Sequence, residues 1–190
     1  MEVVEGPAQW APRKEFEAAI GARVTRPAPA GIALFVYAGT TARMAESFLT
    51  SVTTKHAIDR SQFMVLFSLW CVDPPHRLSP TTLHRALVLS PSGLSHTMRR
   101  LEEAALVRRV ADAGDGRAKY VELTPKGIRR LNRCVADLTD ALDEIYDGVE
   151  ESALDDLAAS QLDIALLLAR SPRSYPVTAR PAATQNGDTP

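Results

Sequence analysis

The chain has 190 residues and a formal net charge of −1, from 22 Lys and Arg against 23 Asp and Glu. This length suits one domain of ordinary size with additional end segments, and the near-neutral charge, taken alone, argues against a nucleic-acid partner. The two cysteines are too few for a disulfide framework. The first residues lack the layout of a secretory signal, and the most apolar stretch, residues 164–169, is far too short to span a bilayer. We therefore expect a cytoplasmic protein without a membrane partner.

The first third of the chain is predicted to be helical after an ambiguous start. Residues 1–30 predict an extension that is partly disordered or carries a short extra helix at 16–20, because prolines flank that segment on both sides. Residues 31–55 predict one long helix. A second helix is predicted over 60–72, and its run 63–70 is apolar nearly all round, which is typical of a helix in the middle of a core.

Two Ser-Pro pairs, Ser79-Pro80 and Ser90-Pro91, mark the starts of two further helices eleven residues apart. A serine hydroxyl can cap an orphan N–H group, and proline loses nothing at the first helical position. The spacing leaves room for one short helix, a tight turn and a second helix, which is a helix-turn-helix. The predicted core faces are Leu83, Ala86 and Leu87 on the first helix and Leu94, Met98, Leu101 and Ala105 on the second.

Two strand-like runs follow at 107–111 and 119–124, and the glycine-bearing segment 112–117 joins them. A helix-turn-helix followed by a β-hairpin is a winged helix, a fold that reads DNA. The sequence therefore predicts a DNA-binding lobe in the middle of the chain.

The distribution of charge supports this interpretation. Residues 77–133 hold twelve Lys and Arg against five Asp and Glu, whereas residues 134–169 hold ten Asp and Glu and neither Lys nor Arg. We interpret the first stretch as a basic lobe that faces phosphates and the second as an acidic lobe held away from them.

A long helix is predicted to begin at Thr124-Pro125 and to end at Gly148. Its apolar residues follow spacings of 3 and 4 for two and a half heptads, which indicates a seam for a partner helix. Packing within the chain would satisfy this seam. We favour a homodimer, since two-fold symmetry lets two recognition helices meet one palindromic site. The seam consists of Ile128, Leu131, Val135, Leu138, Leu142 and Ile145.

The last segments complete the predicted organisation. Ser152, with Asp155 three residues on, predicts a capping box for a last helix, and the composition of residues 171–190 predicts a disordered tail. The fold class is mainly α, a winged helix-turn-helix with a β-hairpin wing and long N- and C-terminal dimerisation helices. The predicted regulator domain covers 31–170, with a DNA-binding lobe at about 60–124 and dimerisation helices at about 31–55 and 125–169.

These residues resemble the multiple-antibiotic-resistance regulator (MarR) family. The resemblance is carried by residues 78–87 and 90–109 and by a wing signature, Asp-x-Arg followed by Leu-Thr-x-x-Gly. The matching wing residues are Asp115, Arg117, Leu123, Thr124 and Gly127, and the resemblance covers roughly residues 31–169.

The resemblance implies a homodimeric, triangular transcription regulator, usually a repressor that small aromatic or phenolic acids release from DNA. It also implies that the Asp115 carboxylate orients the Arg117 guanidinium, which would enter the minor groove, where a narrow A·T-rich groove concentrates negative potential. One departure is Ala105, which stands where the family usually ends its recognition helix with glycine, so the helix end is less well specified.

The stretch 73–80 also resembles a branch of the family that includes urate-responsive members with an extra N-terminal helix, and Trp10 would correspond to the tryptophan of that helix. The ligand-binding acid and arginine of that branch align with Met64 and Thr97 here. Urate is therefore not the effector that we expect.

The residues that contact DNA follow from their places in the winged helix. Side chains near the start of the second helix reach base edges, and more distant cations contact phosphates. The base-reading candidates are Ser92, Ser95, His96 and Arg99; the phosphate candidates are Arg85, Arg100, Arg108 and Lys119; the wing candidates are Asp115 and Arg117.

A small-molecule effector would bind between the dimerising helices and the DNA-reading lobe, as the resemblance implies. An aromatic pocket with a few cationic groups suits a planar carboxylate. The alternative interpretation is that Phe63, Phe67 and Trp70 are plain core, which is the more common role of such residues. The candidates are Tyr37, Arg43, His56, Phe63, Phe67, Trp70 and Arg77. No cofactor and no bound metal are expected.

Other classes of function have weaker support. A redox-sensing regulator would act through Cys71 or Cys134, but an isolated cysteine is usually an inert apolar residue. A metal sensor would need more clustered ligands than His76, His84 and Asp73 provide. The sequence contains no phosphate loop, nucleophile elbow or metalloprotease helix, so we do not expect an enzyme.

Overall fold

The computed structural model describes residues 13–24, 29–87, 89–111 and 119–170. Trp10, the wing candidates Asp115 and Arg117, and the predicted disordered tail at 171–190 lie outside the described residues.

The described part of the chain is mainly helical, as the sequence predicts. None of its helices is both long enough and apolar enough to cross a membrane. The helices are α1 Arg13–Gly21, α2 Pro29–Lys55, α3 Arg60–Trp70, α4 Pro80–Ala86, α5 Pro91–Glu103, α6 Pro125–Tyr146 and α7 Glu151–Ala169. The strands are β1 Arg77–Leu78, β2 Val107–Ala111 and β3 Lys119–Leu123.

Side-chain caps start the helices of the central lobe. The hydroxyl of Ser79 accepts the N–H of Thr82, and the hydroxyl of Ser90 accepts the N–H of Gly93, each at 3.1 Å. Both serines precede a proline at the first helical position, so the helix-turn-helix starts where the Ser-Pro pairs predict.

Within the described part of the chain the sheet has three strands, one more than the predicted hairpin. Strands β2 and β3 pair antiparallel with Val107 opposite Leu123, and β1 pairs with the other edge of β3. Because β1 has only two residues, its strand character comes from this pairing and not from any periodicity that the sequence could show.

The core lies where α3, α4, α5, α6 and the sheet meet. Its fully buried side chains include Leu66 and Leu69 of α3, Leu83 of α4, Leu101 of α5 and Leu131 of α6. The predicted central position of α3 is thereby confirmed. Ala86 and Ala105 are exposed, so assigning them to the core faces was wrong.

The heptad seam of α6 divides between two environments. Ile128, Leu131, Val135 and Leu138 pack on or within the core of the chain, whereas Ile145 is 55% exposed. Packing within the chain therefore accounts for the first four of the six seam residues and leaves Ile145 at the surface.

The last helix departs from the predicted start. Glu150 occupies the N-cap of α7 and makes no capping hydrogen bond with its side chain, so the capping box at Ser152 and Asp155 was wrong. Gly148 has a positive φ of 76° just after α6, in agreement with its predicted role at the end of that helix.

Candidate DNA interface

Helix α5 has two faces of opposite character. Leu94, Met98 and Leu101 are buried on one face. Ser92, Ser95, His96 and Arg99, the predicted base-reading residues, are exposed on the other. The helix therefore presents short polar side chains, an imidazole and a guanidinium to solvent from a firmly packed support, and these groups can donate to and accept from base edges.

The C-terminal end of α5 is held by the start of α6. Ala105 has a φ of 55°, the left-handed conformation that usually requires glycine at this position. The hydroxyl of Thr124 donates to the carbonyl of Ala105 at 2.8 Å and accepts the N–H of Gly127 at 3.0 Å. The ammonium of Lys126 donates to the carbonyl of Ala104 at 2.8 Å. These bonds satisfy carbonyl groups at the helix end that would otherwise lack partners.

Gly127 permits this close contact between the two helices. A Cβ atom at Gly127 would lie 2.1 Å from the carbonyl oxygen of Leu106, which is far inside van der Waals contact. The Leu-Thr-x-x-Gly motif therefore has a structural cause: threonine caps α6, and glycine lets α6 approach the chain that leaves α5.

Several arginines of the basic stretch form ion pairs within the chain. Arg100 pairs with Asp59, and Arg108 pairs with Glu122, whose nearest oxygen is 2.5 Å from the Arg108 guanidinium. Arg99 lies 3.7 Å from Glu103, its partner one turn along the same helix. Arg85 is exposed and forms no ion pair among the residues that the structure describes.

The acidic partners of these arginines could not be found from the sequence. Asp59 and Glu122 lie 41 and 14 residues from the arginines they pair with, so no local spacing reveals them. Glu122 is buried on β3, and Arg109 adds a further pair with Glu102. Part of the positive charge counted from the sequence is therefore neutralised inside the lobe.

The structure describes only part of the predicted wing. Lys119 is the first residue of β3, while its side chain, Asp115 and Arg117 fall outside the described residues. Strands β2 and β3 lead directly toward the segment that carries Asp115 and Arg117, as the predicted hairpin requires.

The structure brings three of the seven effector candidates into contact. The rings of Phe63 and Phe67 stack at 5.5 Å, and those of Phe67 and Trp70 at 5.8 Å. Phe63 is buried, which fits a core role, whereas Trp70 is 37% exposed. This stack runs along α3 from the core to the surface.

The other four candidates contact different neighbours. His56 Nε2 lies 2.9 Å from Asp137 Oδ2, and the Arg77 guanidinium lies 5.1 Å from the ring centre of Tyr120. Tyr37 lines a cleft of about 170 Å³ between α1 and α2. Arg43 is exposed on α2.

The two cysteines differ in environment. Cys71 is exposed at the end of α3, and Cys134 is buried on α6. Burial raises the pKa of the Cys134 thiol to about 11, and the Asp137 carboxylate adds to the shift. This thiol stays protonated at neutral pH, which disfavours it as a redox sensor. Among the described residues no three His, Cys, Asp or Glu side chains gather as metal ligands would.

Comparison with known proteins shows which regulators this chain resembles. A family model described as MarR family matches residues 58–118, from the turn before α3 into the predicted wing. The HTH-type transcriptional regulator PecS of Dickeya dadantii (strain 3937) is 32% identical over 89 residues, which are 47% of this chain and 54% of PecS. Over this central segment the chain is similar to MarR-family regulators. It spans about half the length of this curated relative.

Solved MarR-family structures share the fold. A MarR family transcriptional regulator from Streptomyces coelicolor, crystallised in complex with DNA, has a TM-score of 0.63 and 22% identity and covers 83% of this chain and 100% of its own. AbsC, another MarR family regulator from that organism, has a TM-score of 0.63 and 21% identity, covering 78% and 98%. The resemblance and the winged helix-turn-helix fold predicted from the sequence are confirmed.

Proposed function

We propose that this protein is a sequence-specific transcription regulator that binds double-stranded DNA through α5 and the wing. The observation that carries this proposal is the arrangement of α5, whose buried face fixes the helix while Ser92, Ser95, His96 and Arg99 remain exposed. The relative crystallised with DNA supports it, because its fold covers most of this chain.

We propose further that the active form is a homodimer on a pseudo-palindromic operator. Helix α7 has no buried residue, and leucines such as Leu157, Leu162 and Leu167 are at least 59% exposed. Exposed apolar side chains also occur near the start of α2, at Phe35, and near the end of α6, at Ile145. A second copy that covers these three helices would remove an apolar surface too extensive for a soluble monomer.

The regulator is proposed to be a repressor that a small aromatic or phenolic acid releases from DNA. The stacked rings of Phe63, Phe67 and Trp70, which reach the surface at Trp70, support an aromatic ligand. The test is titration of salicylate and related aromatic acids into the protein–operator complex. Release at a defined stoichiometry supports this role, and unchanged DNA binding with every acid contradicts it.

The DNA-binding proposal is tested by fluorescence anisotropy on DNA from the upstream region of the gene. Arg117→Ala is expected to weaken binding by about 1–3 kcal/mol, because the wing arginine would no longer enter the minor groove. Arg170→Ala, which removes the same charge beyond α7, serves as the matched control and should leave the affinity unchanged. An unchanged dissociation constant for Arg117→Ala at fixed salt removes Arg117 from the interface.

Salt dependence provides a second test of the same proposal. The logarithm of affinity should fall steeply with the logarithm of salt concentration, since each neutralised phosphate releases counterions. A flat response would reject contacts to the DNA backbone.

A further inference from the structure

A single carboxylate joins the start of α3 to the recognition helix. Asp59 Oδ1 accepts the N–H of Gln62 at 2.8 Å, and Gln62 Oε1 accepts the N–H of Asp59 at 2.9 Å, which completes a capping box. The other carboxylate oxygen, Oδ2, accepts a hydrogen bond from Nη1 of Arg100 on α5. The cap fixes the direction of the Asp59 side chain, so the acceptor for Arg100 is pre-oriented.

This contact crosses a gap in the packing. A cleft of about 330 Å³ separates the N-terminal end of α3 from one flank of α5, and Gly93, His96 and Thr97 line its α5 side. Side-chain packing therefore supports α5 from its buried face but not from this flank. The ion pair between Asp59 and Arg100 spans the cleft and ties the flank to α3.

Arg100 lies beside the residues that face DNA in the proposed function. It follows Arg99 directly and stands one helical turn after His96. A small rotation of α5 about its axis would displace both of these side chains from the base edges, and a contact at Arg100 opposes that rotation. A phosphate, by contrast, would have to compete with Asp59 for the guanidinium.

We propose that Asp59 and Arg100 are positioning residues, which fix the rotation of α5 so that His96 and Arg99 meet the bases. This inference rests on the proposed DNA-binding function. It replaces the sequence prediction of Arg100 as a phosphate contact with a role inside the protein.

The two roles of Arg100 predict opposite effects for Asp59→Asn. Asparagine caps a helix as well as aspartate does, so α3 keeps its start while the ion pair loses its charge. If Arg100 contacts a phosphate, releasing it from Asp59 and removing a negative charge near DNA should strengthen binding. If Arg100 positions α5, the same change should weaken binding to the operator.

The experiment compares wild type, Asp59→Asn, Arg100→Gln and the double variant by anisotropy across a salt series. Each single variant is expected to weaken operator binding about three- to tenfold, since the pair is half-exposed, and the double variant should bind no more weakly than either. The salt slope and the affinity for random DNA should stay unchanged. Loss of affinity for operator and random DNA alike would indicate plain destabilisation and overturn the proposal.

The matched control is Glu46→Gln, which removes a negative charge from the same cleft. Glu46 pairs at 3.5 Å with Arg60 of α3 and does not hold α5, so its loss should not weaken operator binding. Equal or tighter operator binding by Asp59→Asn, or a salt slope lowered by about one per chain in Arg100→Gln, would overturn the positioning role.

Hydrogen exchange of the free protein separates this proposal from the proposed function. Asp59→Asn should speed exchange of the α5 amides several-fold relative to Glu46→Gln, because α5 loses its support on the cleft side. Failure of the wild type to bind operator would refute the proposed function, while exchange would still show whether the pair holds α5. Unchanged α5 exchange would overturn the inference directly.

Discussion

Ala105 shows how one side chain can sit at a position that favours glycine. Its φ of 55° places Cβ close to the following carbonyl oxygen, a conformation that costs an alanine roughly 1–2 kcal/mol. The sequence indicated this problem, since the MarR pattern has glycine at the end of the recognition helix. The structure keeps the left-handed conformation and holds it with the Thr124 hydroxyl bound to the Ala105 carbonyl.

Ala105→Gly should therefore stabilise the protein. Relief of the left-handed strain outweighs the greater chain entropy of glycine, so the free energy of unfolding should rise by about 0.5–1 kcal/mol. Urea denaturation measures this. Ala104→Gly is the matched control, because Ala104 has an ordinary helical φ of −77° and should lose stability. A loss of stability in both variants would contradict the account.

The two thiols should differ in reactivity because Cys71 is exposed and Cys134 is buried. The pKa of Cys134 is raised from the ordinary 9.0 to about 11, so this thiol stays protonated at a pH where a thiol in the unfolded chain ionises. The folded protein therefore binds this proton more tightly than the unfolded chain does. The associated stabilisation is present below about pH 9 and is lost as pH rises through 11.

Alkylation at pH 8 followed by mass spectrometry tests this difference. One thiol per chain should react rapidly, and Cys71→Ser should abolish that reaction, because Cys71 is exposed and Cys134 is buried. Rapid double alkylation of the folded protein would contradict the buried, protonated state of Cys134.

The sequence placed candidate site residues within a motif but did not reveal their partners. Helical periodicity separates Ser92, Ser95, His96 and Arg99 from the buried face, so their exposure on α5 could be predicted. The pairing of Arg108 with Glu122 could not, since it depends on the register of β2 against β3. Contacts of this kind are set by tertiary structure, which a single sequence does not show.

At the scale of elements, the capped helix starts could be predicted from the sequence, whereas the two-residue strand β1 and the uncapped start of α7 could not. Ser-Pro pairs carry their own capping chemistry, so α4 and α5 begin where expected. Strand β1 has two residues and exists only through its pairing with β3. The start of α7 lacks a side-chain cap, so the sequence rule that pointed to Ser152 had no counterpart in the structure.

The junction of α5 and α6 gives a prediction for Gly127. A methyl group there would meet the Leu106 carbonyl oxygen at 2.1 Å, so the two segments must separate. Gly127→Ala should lower the free energy of unfolding by about 1–3 kcal/mol, as overpacking does elsewhere. Thermal unfolding followed by circular dichroism measures the change.

Gly39→Ala is the control for that substitution. Gly39 lies inside α2 with open space around its Cα, so alanine should raise stability by about 0.5–1 kcal/mol through helix propensity. A Gly127→Ala variant as stable as wild type would show that the junction is looser than the structure indicates.

At the scale of the whole molecule, the exposed apolar side chains of the terminal helices are the basis of the proposed dimer. Leu162 is 60% exposed on a helix without buried residues. Leu162→Glu should convert the proposed dimer to a monomer, because a charge would be buried at the interface without a partner. Sedimentation should then give the single-chain mass of 20.7 kDa.

Ser152→Glu is the matched control for this substitution. It adds the same charge to the first turn of α7, where an acidic side chain favours the helix dipole, and should leave the dimer intact. Dimers of normal stability with Leu162→Glu would place the interface elsewhere.

Helix α6 connects the two ends of the proposed regulator without a break. Its first turn holds the end of α5, and its last turns lie among the exposed apolar residues. With 22 residues it is about 33 Å long, so a tilt of roughly 5° moves one end by about 3 Å relative to the other. In the proposed dimer, the angle at which the two copies of α6 cross would therefore set the separation of the two recognition helices, and with it the number of base pairs between half-sites that one dimer can span.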